Sequence, residues 1–508
     1  MDAQNAMSRL ISLCKRRGFV FQSSEIYGGL KSAYDYGPLG VELKRNIASI
    51  WWRDMVSKRE NVYGLDASIM MHPKVWQASG HLDNFSDPLV DCLNCKERFR
   101  ADKVTKQTPG TAIEYVDYSS GKKGKMLPGV VPEAGYCCPN CNSPHLSPER
   151  QFHGMFKTTM GAVDPMGDFI EHVQNKSLSK EELRAKLAKL MERSTAYLRP
   201  ETAQAMFVQF LNVQQTMSAK IPFGIAQIGK SFRNEIIVEH YIFRSCEFEQ
   251  MEMEFFCEPG EEGKWLEYWK QERLGWYRKY ANSGDKFRLR EHAADELAHY
   301  SNGCFDVEYR YPWGWDELEG IASRTDYDLR QHAAASGAKL SYFDQQKQDP
   351  KTGKQGWRYV PYVIEPAAGL TRSVLAFLLD AYTVEELSDG KGGTKTRDVL
   401  KIHPQLAPYK VSALPLVRKD GQPELAAALA EDCRNSGLPG TCDMNQSIGK
   451  RYAKHDEIGT PFCVTVDGQT AEDGKVTVRD RDSTEQVRMD STRVVAYLHE
   501  RLDKSLTE

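Results

Sequence analysis

Ser231-Phe232-Arg233-Asn234-Glu235, followed after a short loop by Phe243-Arg244-Ser245-Cys246-Glu247-Phe248-Glu249-Gln250-Met251-Glu252-Met253-Glu254-Phe255-Phe256, is the stretch on which the fold turns. Side chains alternate along an extended strand, so Met251, Met253 and Phe255 share one face while Phe248, Gln250, Glu252 and Glu254 share the other. One face therefore belongs to a core and the other is polar. A half-buried strand with water on its polar side accounts for this pattern. A strand whose carboxylates meet a cationic ligand accounts for it too, because burying carboxylates without partners is costly.

Upstream, Tyr34-Asp35-Tyr36-Gly37-Pro38-Leu39-Gly40 runs into a segment with apolar residues Leu43, Ile47, Ile50 and Trp51 at helical spacing. With Gly-Pro as the breaker, this predicts a turn feeding a long amphipathic helix. Residues 92–149 change character, with paired cysteines set among Lys-, Gly- and Pro-rich filler, as in an inserted module too small to fold without a staple. Cys92-x2-Cys95 and Cys138-x2-Cys141 offer four thiolates in two tight pairs, the set that a tetrahedral Zn²⁺ takes. The expectation is a structural zinc ribbon, since four thiolates leave no open position for catalysis. Cys137 leaves the register ambiguous, and free thiols are the alternative. Lys180, Glu181, Glu182, Arg184, Lys186 and Lys189, with a stripe of Leu183, Leu187 and Leu190, predict a charged surface helix.

Residues 197–256 alternate like strands separated by turns, and 260–300 read as helical. Ser388-Asp389-Gly390-Lys391-Gly392-Gly393 is a break before a tail that alternates strands such as Val411–Val417 with helices such as Glu424–Leu429, the pattern of a small parallel α/β domain. The chain is divided accordingly into 1–91, 92–149, 150–390 and 391–508. Its 508 residues suit several domains better than one, and a net charge of −3 excludes a chain that coats nucleic acid by overall charge. Any RNA contact must be local. No long apolar run predicts a membrane span, and Met1-Asp2-Ala3-Gln4-Asn5 has neither the basic nor the apolar part of a leader. Among 12 cysteines, Cys92, Cys95, Cys137, Cys138 and Cys141 cluster while the rest scatter, which fits a metal knuckle in a reducing, cytoplasmic compartment.

Phe232-Arg233-Asn234-Glu235 and the Glu-Phe-Glu-Gln-Met-Glu strand after it resemble motif 2 of class II aminoacyl-tRNA synthetases, in the form found in the dimeric, single-chain glycyl enzymes. Gly37-Pro38-Leu39-Gly40 and its helix resemble motif 1, the dimer element. Ile364-Glu365-Pro366-Ala367-Ala368-Gly369-Leu370-Thr371-Arg372 and the helix beyond it resemble motif 3. Leu198-Arg199-Pro200-Glu201-Thr202-Ala203-Gln204, Gly314-Trp315-Asp316-Glu317-Leu318-Glu319-Gly320, and Ile448-Gly449-Lys450-Arg451-Tyr452 extend the match over nearly the whole chain in the family's order. The resemblance implies an α/β protein with an α+β catalytic core: an antiparallel sheet flanked by helices, a zinc-ribbon-like insertion and a C-terminal α/β anticodon-binding domain. It implies ATP-dependent activation of glycine and transfer to the 3′ end of tRNA(Gly) by a cytoplasmic homodimer.

The chemistry explains the residue types. A carboxylate attacking the α-phosphate of ATP brings two anions together, so cations on the phosphates matter more than a general base. By resemblance Arg233 holds the α-phosphate and the substrate carboxylate, Arg372 reaches the γ-phosphate, and Glu317 is the Mg²⁺ ligand. Scaffold ion pairs are the alternative for both arginines. The implied ATP site comprises Arg233, Asn234, Glu235, Phe243, Arg244, Phe248, Glu317, Leu318, Gly369 and Arg372, with Phe248 as the adenine platform. The implied glycine site comprises Arg100, Glu201, Phe248, Glu249, Gln250, Met251, Glu252, Glu365 and Gly369. Glu201, Glu252 and Glu365 are the ammonium ligands, and lack of room for a side chain supplies selectivity.

For Arg100 a solvated loop position is the alternative. Lys450, Arg451 and Lys454, interleaved with Tyr452 and His455, are the tRNA-contacting set by charge and stacking, against the plainer reading of a solvated helix face. The sequence departs from the family pattern at Ala367 (usually Ser), Thr371 (often Asp), Cys246 (usually Arg) and Ala205 (usually Gly). A non-catalytic, synthetase-like nucleic-acid-binding subunit is the competing function, and the presence of Arg233, Glu317 and Arg372 argues against it.

Overall fold

The computed structural model describes residues 3–30, 32–101, 104–106, 113–126, 136–161, 167, 169–170, 173, 179–236, 238–298, 301–388 and 394–504. Helix α1 (Pro38–Trp52) starts on a proline, whose missing N–H falls among the donors that any helix start leaves unpaired. It buries Leu43, Ile47, Ile50 and Trp51, the stripe that the spacing predicts. Gly40 allows backbone contact with the preceding segment, since a Cβ there would stand 1.8 Å from the Phe19 carbonyl oxygen.

The central sheet is built from β1 (Val62–Gly64), β2 (Phe223–Phe232), β3 (Glu247–Cys257), β4 (Phe287–Glu291), β5 (Gly303–Tyr311), β6 (Gly314–Thr325) and β7 (Tyr362–Gly369). Helix α2 (Glu262–Tyr280) lies between β3 and β4, α3 (Tyr327–Ser336) follows β6, and α4 (Leu370–Ala381) follows β7 directly. The seven strands run in the order β4-β5-β6-β7-β3-β2-β1, antiparallel except at the β2–β1 edge. Helices α1, α2 and α4 cover one face: Ile47, Trp51, Trp269, Tyr277 and Leu375 join Met251, Met253 and Phe255 in one apolar cluster.

Two expectations are corrected. Among the described residues of 260–300 the one α-helix is Glu262–Tyr280; after a single 3₁₀ turn at Gly284–Lys286 the chain returns as β4, with Phe287 buried. Within 197–256, Ala203–Val208 and Phe210–Thr216 are helices, and Met206, Phe207 and Phe210 pack on Phe223 and Phe256 in a second cluster.

Residues Ser86–Asp91 pair with Arg98–Arg100 on one side and with Arg150–His153 on the other, so strands from both flanks and the start of the cysteine-rich insertion form one small sheet. The charged helix spans Lys180–Ser194. The Asp389–Gly393 break, and with it the 390/391 boundary, lies outside the described residues, between two strands (Tyr382–Ser388 and Thr394–Leu400) that pair antiparallel.

The C-terminal unit contains β8 (Val411–Pro415), α5 (Gln422–Asn435), β9 (Gly440–Cys442), α6 (Ile448–Glu457), β10 (Phe462–Val466), β11 (Lys475–Asp480), β12 (Gln486–Asp490) and α7 (Val494–Lys504). The order is β9-β8-β10-β11-β12, parallel over the first three strands and antiparallel over the last two steps. The purely parallel expectation fails at β11 and β12. Their connections, 467–474 and 481–485, are shorter than the dozen or so residues that a parallel crossover takes. Among the described residues no helix is long and apolar enough to cross a membrane.

Candidate active site

β3 turns its polar row inward, not to water. Phe248, Gln250 and Glu252 line a cavity of about 290 Å³ together with Arg233 at the end of β2 and Arg372 in the first turn of α4. Gln250 and Glu252 are buried, and Glu254 beyond them is fully so, which overturns the half-solvated reading of this strand. Glu201, Glu365 and Gly369 complete the carboxylate end of the cavity, and Glu235, Phe243, Arg244, Glu317 and Leu318 also line it.

Four expected contacts lie elsewhere. Glu249 and Met251 point through the opposite face of β3, as alternation requires: Glu249 pairs with Lys44 of α1, and Met251 is in the core. Asn234 donates its side-chain N–H to the His153 carbonyl at 3.3 Å, away from the cavity wall. Arg100 sits in the Arg98–Arg100 strand, 3.0 Å from Asp87.

Among the described residues Arg233 is hydrogen-bonded through Nε alone, and Arg372 through Nε and Nη1. Arg233 donates Nε to the Pro200 carbonyl at 3.0 Å, with its guanidinium 5.4 Å from the Phe248 ring. Arg372 donates Nε to the Phe243 carbonyl at 3.3 Å, stands 4.4 Å from the Phe243 ring and meets Glu317 at 3.0 Å. The Arg372 charge holds the exposed Glu317 carboxyl below its ordinary range. Burial, with Glu317 beside it, pushes Asp306 up to about 6.

Glu317 reaches the cavity because of a bulge. In β5–β6 pairing, Val307 faces Glu319 while Glu308 faces Glu317, so Leu318 is the extra residue. Simple alternation would place Glu317 and Glu319 on one face. The bulge sends Glu319 under the sheet to a buried fork with Arg273 of α2 (2.7 and 3.1 Å) and leaves Glu317 to Arg372.

Arg324 is the main residue that the sequence reading missed. It is buried and donates to both oxygens of Asp328 (2.8 and 3.0 Å) and to Glu365 at 2.8 Å. Its signal was available: Gly320, Ala322 and Arg324 form a period-two row, and all three line the cavity. The row Glu252, Ala367, Gly320 runs across β3, β7 and β6, so small residues flank the acids. Burial opposes ionisation of Glu201, but His81 at 3.4 Å and Arg324 hold its carboxyl well below the carboxylate range. Burial pushes Glu252 up to about 8, with Glu365 and Glu201 adding to the effect, and burial also raises Glu365.

The insertion gathers Cys92, Cys95, Cys138 and Cys141, with all four sulfurs within 4.8 Å of one another. The Cys92–Cys141 and Cys95–Cys138 separations are 3.6 and 3.7 Å. Thiolates about 2.3 Å from a tetrahedral Zn²⁺ stand about 3.8 Å apart, so the set fits that ion. Cys137 belongs to a short strand paired with Thr105–Lys106 and is outside the group, which settles the register.

Helix α6 differs from the expectation. Arg451 is buried, with Nη1 donating to the Pro415 and Asp443 carbonyls at 2.7 and 2.9 Å. His455 is buried between Ser412 and Thr460, the Tyr452 hydroxyl meets Thr465, and Lys454 pairs with Asp443 at 2.8 Å. Lys450 alone of the five is exposed.

The fold is that of the class II aminoacyl-tRNA synthetases. A solved prolyl-tRNA synthetase from Cryptosporidium parvum, complexed with halofuginone and AMPPNP, superposes with a TM-score of 0.59 at 12% identity, covering 98% of this chain and 76% of that one. Residues 410–501 match the family model described as anticodon binding domain. Glycine–tRNA ligases are similar over the full length. That of Geobacillus thermodenitrificans is 47% identical over 504 residues, 99% of this chain and 98% of the relative. That of Treponema denticola is 44% identical over 497 residues (98% and 97%), and that of Streptomyces coelicolor 46% over 507 residues (98% and 99%). The chain belongs to the glycine–tRNA ligase family.

Proposed function

We propose that this protein activates glycine with ATP and transfers it to the 3′ end of tRNA(Gly), with Arg233, Arg372 and the glutamates of β3 and β7 as its working residues. One observation carries the reading: Arg233, Arg372, Glu201, Glu252 and Glu365, from separate segments, line a single cavity. Glu201, Glu252 and Glu365 receive the ammonium of glycine, while Ala322, Ala367 and Gly320 leave no more room than the smallest amino acid needs. Arg233 binds the glycine carboxylate and the α-phosphate, drawing both anions together. An oxygen of that carboxylate attacks the α-phosphorus, the bond to the bridging oxygen breaks, and pyrophosphate leaves with its charge held by Arg372. A ribose hydroxyl of the terminal adenosine of the tRNA then attacks the glycyl carbonyl, and AMP departs.

Phe248 offers the adenine a flat apolar face, and Phe243 and Arg244 lie beside it. Glu317, with oxygen donors facing the cavity, would hold a Mg²⁺ that neutralises phosphate charge. The four thiolates would hold a structural Zn²⁺ that staples the insertion. We further read α1 as the seat of a homodimer contact, 391–508 as the anticodon-binding domain with Lys450 on its tRNA face, and the cytoplasm as its place of action. Glycine-dependent exchange of pyrophosphate into ATP tests the core of the reading. Exchange that is abolished in Arg233→Ala with the thermal unfolding profile unchanged supports it; near-normal exchange in that variant overturns it.

A further inference from the structure

Strand β3 carries a third carboxylate behind the pocket. Glu254 is fully buried, and among the described residues neither of its oxygens has a hydrogen-bond partner. It lies one alternation beyond Glu252, and the carboxylates of Glu252, Glu254 and Glu365 approach within 4.8 Å of one another. The charged groups facing it come from four elements: Glu252 on β3, Glu365 on β7, Arg324 on β6 and Asp328 on α3. Glu201 and His81 close the far side of the cluster. Arg324 is the cation within this group, and its fork is already divided between Asp328 and Glu365. A charge on Glu254 would meet Arg324 only as a shared cation that is not bonded to it, against three neighbouring carboxylates, so the neutral acid, which has a hydrogen to donate, is favoured.

Resting on the reading of Glu252 and Glu365 as ammonium ligands, we propose that Glu254 is a neutral carboxylic acid that donates its hydrogen to that pair, a positioning residue that favours their ionised form and turns them toward the amine of the substrate. The structure brings the three carboxylates within 4.8 Å of one another without that bond, so the bond requires rotation about the terminal torsions of Glu254. A hydrogen bond donated to a carboxylate favours the charged form, so Glu254 offsets part of the burial that raises Glu252 and Glu365. Burial raises Glu254 itself well above the carboxylate range, in keeping with a proton retained throughout.

The test measures glycine KM and ATP KM in adenylate formation for wild type, E254Q and E254L between about pH 6 and about pH 9. The apolar E254L removes the donor: its glycine KM rises about tenfold near pH 7, the deficit shrinks toward the alkaline end as Glu252 ionises later, and ATP KM is unchanged. E254Q keeps shape, neutrality and donor, and restores glycine KM to within about threefold of wild type at each pH. The infrared spectrum of the wild type at alkaline pH shows a protonated-carboxyl band that E254Q lacks. A loss in E254Q equal to that in E254L, a wild-type pH profile in E254L, or identical infrared spectra overturns the proposal. Should E254L not fold, E254Q and the infrared band decide alone. E252Q separates the two readings: an unchanged glycine KM there sinks the ammonium pocket, while the infrared band still reports on Glu254.

Discussion

The active-site cavity and helix α6 both read from sequence as clusters of charge awaiting a ligand, and they fold to opposite ends. Among the described residues Glu252 in the cavity and Glu254 behind it are buried without a cation bonded to either, and Arg233 and Arg372 line the cavity with Nη2 unbonded. In α6 the charges are answered internally: Arg451 caps carbonyls, His455 bridges two hydroxyls and Lys454 pairs with Asp443. The lesson is that a charged residue announces a binding site only where folding leaves its charge in excess. A helix packed on a small sheet has neighbouring carbonyls to offer; a strand in the middle of a seven-stranded sheet has only the next strand's side chains.

The sharpest way to break this contrast is to remove cationic groups from each region. Arg372→Ala lowers the rate of pyrophosphate exchange by about 10²–10³, with thermal unfolding unmoved, because its fork acts on developing phosphate charge. Arg451→Ala does the reverse: it leaves exchange intact and destabilises the C-terminal domain by about 2–3 kcal/mol, since two buried carbonyls lose their donor. Chemical denaturation followed in both variants distinguishes the roles, and equal effects in either assay would erase the distinction.

A smaller effect is expected from pH. The folded state raises Glu252 from 4.5 to about 8, so it binds more protons than the unfolded chain between those values. The contribution is favourable below about 4.5 and is lost as pH rises through about 8. Glu201 has the opposite sign: held low in the folded state, it contributes stability above its unfolded value that disappears in strong acid. Ligand-free protein thus loses thermal stability from mildly acidic to mildly alkaline pH, and E252Q flattens that slope; parallel Tm curves for the two proteins would show the shift to be absent. Removing zinc by chelation, or Cys95→Ser, is expected to unfold the insertion, with exchange reduced less than by Arg372→Ala. Loss of protease resistance confined to the insertion checks this. The least effect belongs to Lys450→Ala, a rise of about threefold in tRNA KM with exchange unchanged.

Much of the fold was legible because its signals were local. The stripe on α1, the alternation of β3 and the cysteine pairs each fix an element without reference to distant parts. The motif order carried Arg233, Arg372, Glu317, Glu201, Glu252 and Glu365 to positions that line one cavity. Illegible were features set by partners far away in sequence. Glu249 and Met251 were grouped with their strand neighbours although alternation puts them on the other face, where Lys44 and the core await them. Arg324 has no motif of its own, and its importance follows from meeting Asp328 and Glu365 together. The antiparallel β11 and β12 were signalled by connection length, which period counting ignores.

The extra residue in β6 amounts to a phase shift written into one strand. Upstream and downstream of Leu318 the strand keeps time differently, so a single chain serves a scaffold ion pair beneath the sheet and a cavity-lining carboxylate above it within three residues. Without the extra residue Glu317 and Glu319 would form consecutive pairs opposite Glu308 and Val307 and keep their faces, whereas regular pairing that retained Leu318 would put both glutamates on one face. The surplus residue is thus what lets two acids that even spacing would pair be set to different work on the two sides of one sheet.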